Sequence, residues 1–375
     1  MSVDASYMDA YIRYMSKVFF TGFPGFLGRE LLPRILKRSE HTAVCLVQER
    51  YMEDAESVRA SIESEQDLKG RIELVAGDIT KPDLGLGAEL QSLAADTVEV
   101  FHLAAVYDLA VGRDFAMKVN VEGTRHILDF SERCRGLRRH QYISTCFVSG
   151  HHQGTFKEVD LQKGQRFNNF YEETKYLAEV EVRARMGTVP TSIYRPSIVV
   201  GNSATGETQK YDGPYFAIRY ILRQLTPFVV MPLIGKPREN QMNLVPRDFV
   251  VDAIAHLSGL IKSTGKTYAL ADPDPLTIAE LIDGMERETG KKLLRVPLPL
   301  QVAKTAIDKV PGVESFFGFP SDAVDYFVHP TKYDTTNTLA DLEGTGIAVP
   351  RFDSYLGRLV DYVRANPEVP SKAMV

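Results

Sequence analysis

VFFTGFPGFLGRELLPRILK, residues 18–37, runs from a short apolar stretch through three glycines into a helical pattern. Val18 to Thr21 reads as a buried strand, and Leu27, Leu31, Leu32, Ile35 and Leu36 then recur on one helical face. Between them Gly22, Gly25 and Gly28 are spaced Gly-x-x-Gly-x-x-Gly. A glycine turn that opens a helix brings backbone N–H groups and the positive end of the helix dipole up to a pyrophosphate. Three glycines alone are a weak signal and also suit a plain tight turn. The strand before them and the helix after them favour a dinucleotide loop made by Thr21, Gly22, Gly25, Phe26, Leu27, Gly28 and Arg29.

Outward from this loop, strand-like runs alternate with helical ones. Ala43–Val47, Ile72–Val75, Val98–Leu103, Gln141–Thr145 and Thr191–Tyr194 read as strands. Asp54–Glu65, Val119–Cys134 and Tyr171–Arg185 read as helices. That alternation predicts an α/β fold: a Rossmann-like, doubly wound parallel sheet covered on both faces. After Gly201 the pattern changes. Tyr215–Leu225, Val250–Leu260 and Leu276–Thr289 read as helices, the last with Thr277 as its cap and Glu280 three residues on. The expected organisation is an N-terminal extension over 1–16 and a nucleotide-binding domain over 17–201, to which 243–270 returns. A smaller C-terminal substrate-binding lobe takes 202–242 and 271–375. In the extension, Met8, Tyr11, Ile12 and Met15 have helical spacing and suit a short surface helix; a membrane- or partner-binding helix is the alternative.

The chain has 375 residues and a net charge of −5, with no basic run, which argues against nucleic acid as a partner. Cys45, Cys134 and Cys146 are too widely spaced for a ligand motif and suit a reducing compartment, so neither a metal nor a disulfide framework is expected. No signal peptide and no apolar run long enough to span a membrane are seen, and a cytoplasmic location follows as the expectation.

The adenine ribose is usually read about 20 residues beyond the glycine loop. That lands on Gln48, which is neutral, with Arg50 two residues on. Arg50 or Arg29 could meet a 2′-phosphate, so the reading prefers NADP and leaves NAD open. Tyr171 and Lys175 are four apart on a predicted helix and share a face. A nearby ammonium favours phenolate and lowers a tyrosine pKa that is otherwise near 10. Such a tyrosine can protonate a carbonyl oxygen as hydride arrives, or take a hydroxyl proton in reverse. By chance alone, 17 tyrosines yield about one Tyr-x-x-x-Lys. Position carries the weight: the pair follows Tyr142-Ile143-Ser144-Thr145, a buried-strand pattern ending in hydroxyls at the sheet's carboxyl edge. Thr145 or Ser144 could bond the same substrate oxygen; strand-end capping is the bland alternative.

With these residues in place, the chain resembles an extended short-chain dehydrogenase/reductase over residues 17 to about 285. The matches are TGFPGFLG (21–28), AGDIT around Asp78, HLAA (102–105), NVEGT (120–124), ISTCFVSG (143–150), YEETK (171–175), RPSIVVG (195–201) and VPRDFV (245–250). The resemblance implies roles. Asp78 and Ile79 would flank the adenine, and Ala104 and Ala105 would line the cofactor channel. Asn120 would support the active site, Thr145 would be the catalytic hydroxyl beside Tyr171 and Lys175, and Pro196, Ser197, Ile198 and Val199 would pack by the nicotinamide. Ser149 stands where the family's motif has tyrosine. Within the family the chain is most similar to fatty acyl reductases and to the thioester-reductase domains of carboxylic acid reductases and peptide synthetases, through TGFPGFLGRELL, CLVQER, KYDGPYFAIRYI (210–221) and VPRDFVVDAIAHL (245–257). That group usually has Arg where Gln48 stands.

The implied activity is NAD(P)H-dependent reduction of an acyl thioester or aliphatic carbonyl, with Tyr171 as proton donor and a separate acyl carrier protein or acyl-CoA delivering the substrate. The apolar segment Tyr215–Leu233 would line an acyl tunnel or form ordinary lobe core. A nucleotide-sugar epimerase or dehydratase and a hydroxysteroid-type dehydrogenase use the same trio and are the enzyme alternatives. A non-catalytic nucleotide-binding scaffold is the alternative from another class, and the intact trio argues against it.

Overall fold

The computed structural model describes residues 16–108, 111–310 and 321–371. The helical spacing noted around Met8–Met15 lies outside them. The chain builds a seven-stranded sheet from β1 (Lys17–Thr21), β2 (Thr42–Val47), β3 (Ile72–Ala76), β4 (Thr97–His102), β5 (Arg139–Ile143), β7 (Thr191–Pro196) and β11 (Thr267–Leu270). Between β5 and β7 lies a short strand, β6 (Gly154–Phe156). The sheet order is β11-β7-β5-β4-β1-β2-β3, with every pair parallel. This is the expected α/β doubly wound architecture.

The two faces of β1 explain its apolar run. Val18 and Phe20 join a core with Leu31, Leu32 and Ile35 of the helix Gly28–Lys37 and with Val250 and Ile254 of the helix Arg247–Gly259. Phe19 points the other way, onto Ile127 and Phe130 of the helix Gly123–Arg133. A strand buried on both faces needs apolar residues at successive positions rather than alternate ones. The strand order reverses between β1 and β4, so the loops leaving those strands diverge and open a crevice at the sheet's carboxyl edge.

The second layer of structure is the lobe. Tyr215, Ile218 and Ile221 of the helix Pro214–Arg223 pack on Leu281 and Met285 of the helix Ile278–Thr289 and on Leu356, Leu359 and Val360 of the helix Leu356–Ala365. Thr277 and Glu280 form the expected capping box. The lobe also holds a parallel pair absent from the sequence reading. After the short strand β8 (Ile198–Val200), β9 (Phe228–Ile234) runs beside β12 (Lys292–Leu298) in register Val230↔Leu294. β10 (Leu244–Pro246) pairs with β8.

The chain crosses between the two bodies more than once. Residues 244–259 return to cover the helix that follows the glycine loop, and β11 adds the sheet's outermost strand beside β7. Farther on, β13 (Thr331–Tyr333) pairs with β6, and the helix Thr336–Leu342 settles on β11. There the buried Asp341 carboxylate meets Lys262 at 2.8 Å, Lys266 at 2.7 Å and the Tyr268 hydroxyl at 2.7 Å. Buried Glu158 accepts from Ala269 N at 2.9 Å and from the Thr338 hydroxyl at 2.8 Å.

Candidate active site

A single cavity of about 1630 Å³ follows the sheet's carboxyl edge. Gly22, Gly25, Phe26, Leu27 and Gly28 line one end of it. The turn is tight enough to require its glycines: Gly22 has φ +88°, and a Cβ there would lie 2.8 Å from Leu103 Cβ. A Cβ on Gly28 would lie 2.4 Å from Gly22 O. Gln48, Arg50, Asp78 and Ile79 line the wall beyond β2 and β3. Gln48 Oε1 accepts from Arg50 Nε at 3.0 Å, and the Arg50 guanidinium lies 4.7 Å from the Tyr51 ring centre. Asp78 Oδ1 accepts from Thr80 N at 2.8 Å, closing a turn that holds Asp78 at the cavity. Ala104, Ala105, Pro196, Ser197, Ile198 and Val199 line the stretch leading to Thr145, Tyr171 and Lys175. The shape is long, glycine-floored at one end and open toward the lobe, and it suits a dinucleotide laid across the switch point.

Three expected residues stand behind the wall instead of in it. Thr21 is fully buried; its hydroxyl meets His102 Nδ1 at 2.9 Å and accepts from Ala104 N at 3.2 Å, so it holds the Ala104–Ala105 segment in place. Asn120 sits in a wide helical turn, Met117–Glu122. Its Oδ1 accepts from Val106 N at 2.8 Å, and its Nδ2 donates to the Thr174 hydroxyl at 3.0 Å, linking that same segment to the Tyr171 helix. Arg29 turns toward the lobe, where it donates to the Gln209 side-chain oxygen. Of the two arginines expected near a 2′-phosphate, only Arg50 lines the cavity.

The hydroxyl pair after β5 separates cleanly. Both residues line the cavity, but the Ser144 hydroxyl is taken up by Glu179, donating to its Oε2 at 2.7 Å. Thr145 caps the short turn Cys146–Ser149 by accepting from Phe147 N at 3.2 Å, donates to Pro196 O at 3.4 Å, and lines the same stretch of cavity as the Tyr171 phenol. Tyr171 lies in the first turn of the helix Phe170–Ala184, which is capped by Asn169 Oδ1 accepting from Glu172 N at 3.0 Å.

Lys175 differs from the expectation. Its ammonium donates to Ile143 O at 2.8 Å and to the Tyr142 hydroxyl at 3.2 Å, beneath the site and not to Tyr171. The Tyr171 phenol is accordingly not lowered: burial pushes its pKa up, against the opposing pull of the Thr145 hydroxyl. It stays protonated at neutral pH, which suits a proton donor better than a base. Burial also pulls Lys175 down from 10.5 to about 7, with Glu179 one turn along the helix opposing that shift.

This lysine sets a pH dependence. Unfolded, it holds its proton up to its ordinary pKa; folded, it releases it near 7. Between those values the unfolded chain binds more protons, so the ligand-free protein gains stability as pH rises from about 7 toward 10.5. Lys175→Met should remove that gain. Thermal melts of both proteins across the window are expected to show the variant's advantage shrinking with pH; a gap that does not vary with pH would refute the assignment.

The lobe side adds residues to which the sequence reading gave no role. Tyr107 meets Tyr171 edge to face at 4.9 Å, and Lys210 Nζ lies 4.2 Å from the Tyr107 ring centre. Lys210 and Asp212 are ion-paired at 3.0 Å on the cavity wall. Both belong to KYDGPY, which had carried the resemblance without an assigned role. Tyr107 follows HLAA in a loop with no periodicity to mark it. The apolar-tunnel expectation is corrected: between 211 and 235 only Asp212, Gly213 and Phe216 line the cavity. Ile221 is lobe core and Val230 is exposed on β9. Residues 217–235 therefore lie off the cavity: Ile218, Ile221, Val229 and Met231 pack into the lobe core, while Leu225, Phe228 and Val230 are exposed. Among the described residues no group of His, Cys, Asp and Glu could hold a metal ion, and no helix is long and apolar enough to cross a membrane.

Residues 20–254 match the family model described as male sterility protein, an NAD-binding family. The chain is 27% identical over 290 residues to a linear gramicidin synthase of Brevibacillus parabrevis; that stretch is 74% of this chain and 6% of that much longer protein. It is 24% identical over 325 residues to a 3β-hydroxysteroid dehydrogenase/Δ5→4-isomerase of Mycobacterium tuberculosis, covering 83% of this chain and 80% of that one. Among solved structures it is similar to the terminal R domain of the myxalamid PKS-NRPS biosynthetic pathway, with a TM-score of 0.81 and 26% identity over 95% of this chain and 93% of that one.

Proposed function

The chain belongs to the male sterility protein family of extended short-chain dehydrogenase/reductase-type NAD-binding proteins, and from that premise we propose that it reduces acyl thioesters to aldehydes, with NADPH as the preferred cofactor. The observation that carries the reading is the continuity of one cavity from the glycine loop to a protonated Tyr171 beside Thr145. The similarity to a terminal R domain of a PKS-NRPS pathway supports a carrier-bound or coenzyme A thioester as the substrate.

Pro196, Ser197, Ile198 and Val199 would hold the nicotinamide, which would supply the hydride. Tyr171 and Thr145 face the carbonyl oxygen, on which negative charge develops as the carbon is reduced. The Tyr171 phenol gives that oxygen its proton, which forms a thiohemiacetal. When the carbon–sulfur bond breaks, the hydroxyl proton returns to Tyr171, the aldehyde forms, and the thiol leaves with a proton from solvent. Lys175, held by Ile143 O and Tyr142, would donate to the ribose hydroxyls of that nucleotide. Thr21 and Asn120 act through the Ala104–Val106 segment, as positioning residues.

The direct test is an acyl-pantetheine thioester with NADPH. Nucleotide oxidation should release one free thiol per aldehyde formed. Turnover of hydroxysteroids or simple aldehydes with no thioester turnover would overturn the reading and favour the dehydrogenase relative's chemistry.

Arg50 gives a narrower test of the cofactor. A guanidinium–phosphate pair is charge-assisted and can be bidentate. Arg50→Ala is expected to weaken NADPH binding on the order of tenfold and NADH binding by less than about twofold. Equal losses for both nucleotides, read by titration, would remove Arg50 from the 2′-phosphate.

A further inference from the structure

Beside the lobe end of the main cavity lies a smaller one of about 170 Å³. The two share Phe147, Ser197, Ile198, Met242 and Tyr326 in their walls, so the annex adjoins the site just past Thr145 and Pro196. Its far wall holds Asp272, two residues beyond the end of β11 and 8% exposed. The backbone there is clamped: Asn243 Oδ1 accepts from Asp272 N at 2.9 Å and Asn243 Nδ2 donates to Asp272 O at 2.8 Å. The carboxylate itself accepts from Asp274 N at 2.9 Å. Among the described residues no Lys, Arg or His lies within ion-pair distance of it. Arg351 sits 3.5 Å from Asp274 instead, and Lys332, the only Lys or Arg of the described lining, is exposed.

Arg351 acts on the Asp272 carboxylate only from beyond ion-pair distance; a buried carboxylate with no contacting counter-ion is costly, and a cation brought beside it relieves the cost. The rest of the wall suits an organic cation. Phe147 and Tyr326 meet at right angles with ring centres 4.9 Å apart, and Tyr333 also stands nearly perpendicular to the Phe147 ring, at 6.5 Å. Aromatic faces attract cations, most strongly out of water. His329 closes the corner, with Nε2 2.9 Å from the Tyr333 hydroxyl and a buried Nδ1 that has no partner. Burial holds its pKa down to about 4, so it does not compete as a cation.

We propose that this annex is a subsite for a positively charged group on the acyl substrate, an amine or quaternary ammonium a short chain away from the reacting carbonyl, with Asp272 as its counter-ion and Phe147, Tyr326 and Tyr333 as its aromatic wall. This rests on the thioester reading and narrows it: the acyl group is cationic at its far end.

The test uses two acyl-pantetheine thioesters of equal length and shape, one ending in trimethylammonium and the other in its tert-butyl isostere. The full chain is expected to show a kcat/KM on the order of tenfold higher for the cationic substrate. Asp272→Asn, which keeps the acceptor for Asp274 N, should bring that ratio near one. Equal kcat/KM for the pair in the unmodified protein overturns the annex and leaves the thioester reading standing, whether or not the variant folds. Should neither thioester be reduced, the thioester reading falls and calorimetry with tetramethylammonium ion decides the annex. Binding that is lost in Asp272→Asn supports it; no binding, or equal binding by both proteins, overturns it.

Discussion

Replacing Tyr171 by Phe is expected to lower turnover roughly 10²–10⁴-fold, the range for loss of a positioned general acid, while nucleotide affinity stays nearly constant. The ring keeps its edge-to-face contact with Tyr107 at 4.9 Å, and the helix keeps its Asn169 cap. Only the phenol hydroxyl, which shares the cavity wall with Thr145, goes. No other side chain in contact with Thr145 is placed to replace it, because Ser144 is turned onto Glu179 and Lys175 onto Ile143 O. Single-turnover hydride transfer, measured beside a nucleotide titration, separates the two effects. A rate within a few-fold of the unmodified protein would take Tyr171 out of the proton-donor role.

The second large effect is on stability. Arg195→Met is expected to cost about 3–5 kcal/mol, the usual penalty for stranding a buried charge. Arg195 and Glu179 are both almost completely inaccessible and meet at 2.6 Å. Ser144 and Arg183 also bond the same carboxylate. Burial pushes the Glu179 carboxyl up, and Arg195, Arg183 and Ser144 together outweigh it, holding it below its ordinary value. In the unmodified protein the pair therefore contributes fully above the ordinary carboxyl pKa, and its contribution is lost as pH falls through the lowered one. In the variant the carboxyl has lost its main partner, so the stability gap should narrow toward acid pH. Urea midpoints at several pH values would show this, and Arg195→Met/Glu179→Leu should recover more than half of the loss. A cost below about 1 kcal/mol, ordinary for a surface pair, would mean that the network does not hold the β7 edge of the site.

These two predictions differ in how far the sequence foretells them. Tyr171 and Lys175 were legible because a helix repeats its faces every three to four residues, and Thr145 because a buried strand must end where the hydroxyls begin. The glycine loop was legible because its steric demands are local. Which of the Ser144 and Thr145 hydroxyls is taken up by a carboxylate was not, since that depends on Glu179, 35 positions away. The direction of the Lys175 ammonium was missed for a similar reason: adjacency on a helix says nothing about an acceptor on the neighbouring strand. β9 and β12 escaped notice because parallel pairing joins segments about 60 residues apart and leaves no local pattern. Residues 217–235 looked like a tunnel wall because an apolar helix or strand reads the same whether it lines a cavity or a core.

The route of the chain through β11 and β13 bears on how the protein can be made. Until residue 270 has been added, β7 is the sheet's outer strand, with one row of N–H and C=O groups unpaired. An unpaired flat edge is a template for other chains. A nascent or truncated polypeptide ending near residue 201 would expose that edge, and would also leave bare the surface of the Gly28–Lys37 helix that residues 247–259 cover. The nucleotide-binding body is thus not a unit to be excised at the point where the sequence pattern changes. Expressed alone it would be sticky, and during synthesis it stays vulnerable to aggregation until strand and helix arrive from the far side of the lobe.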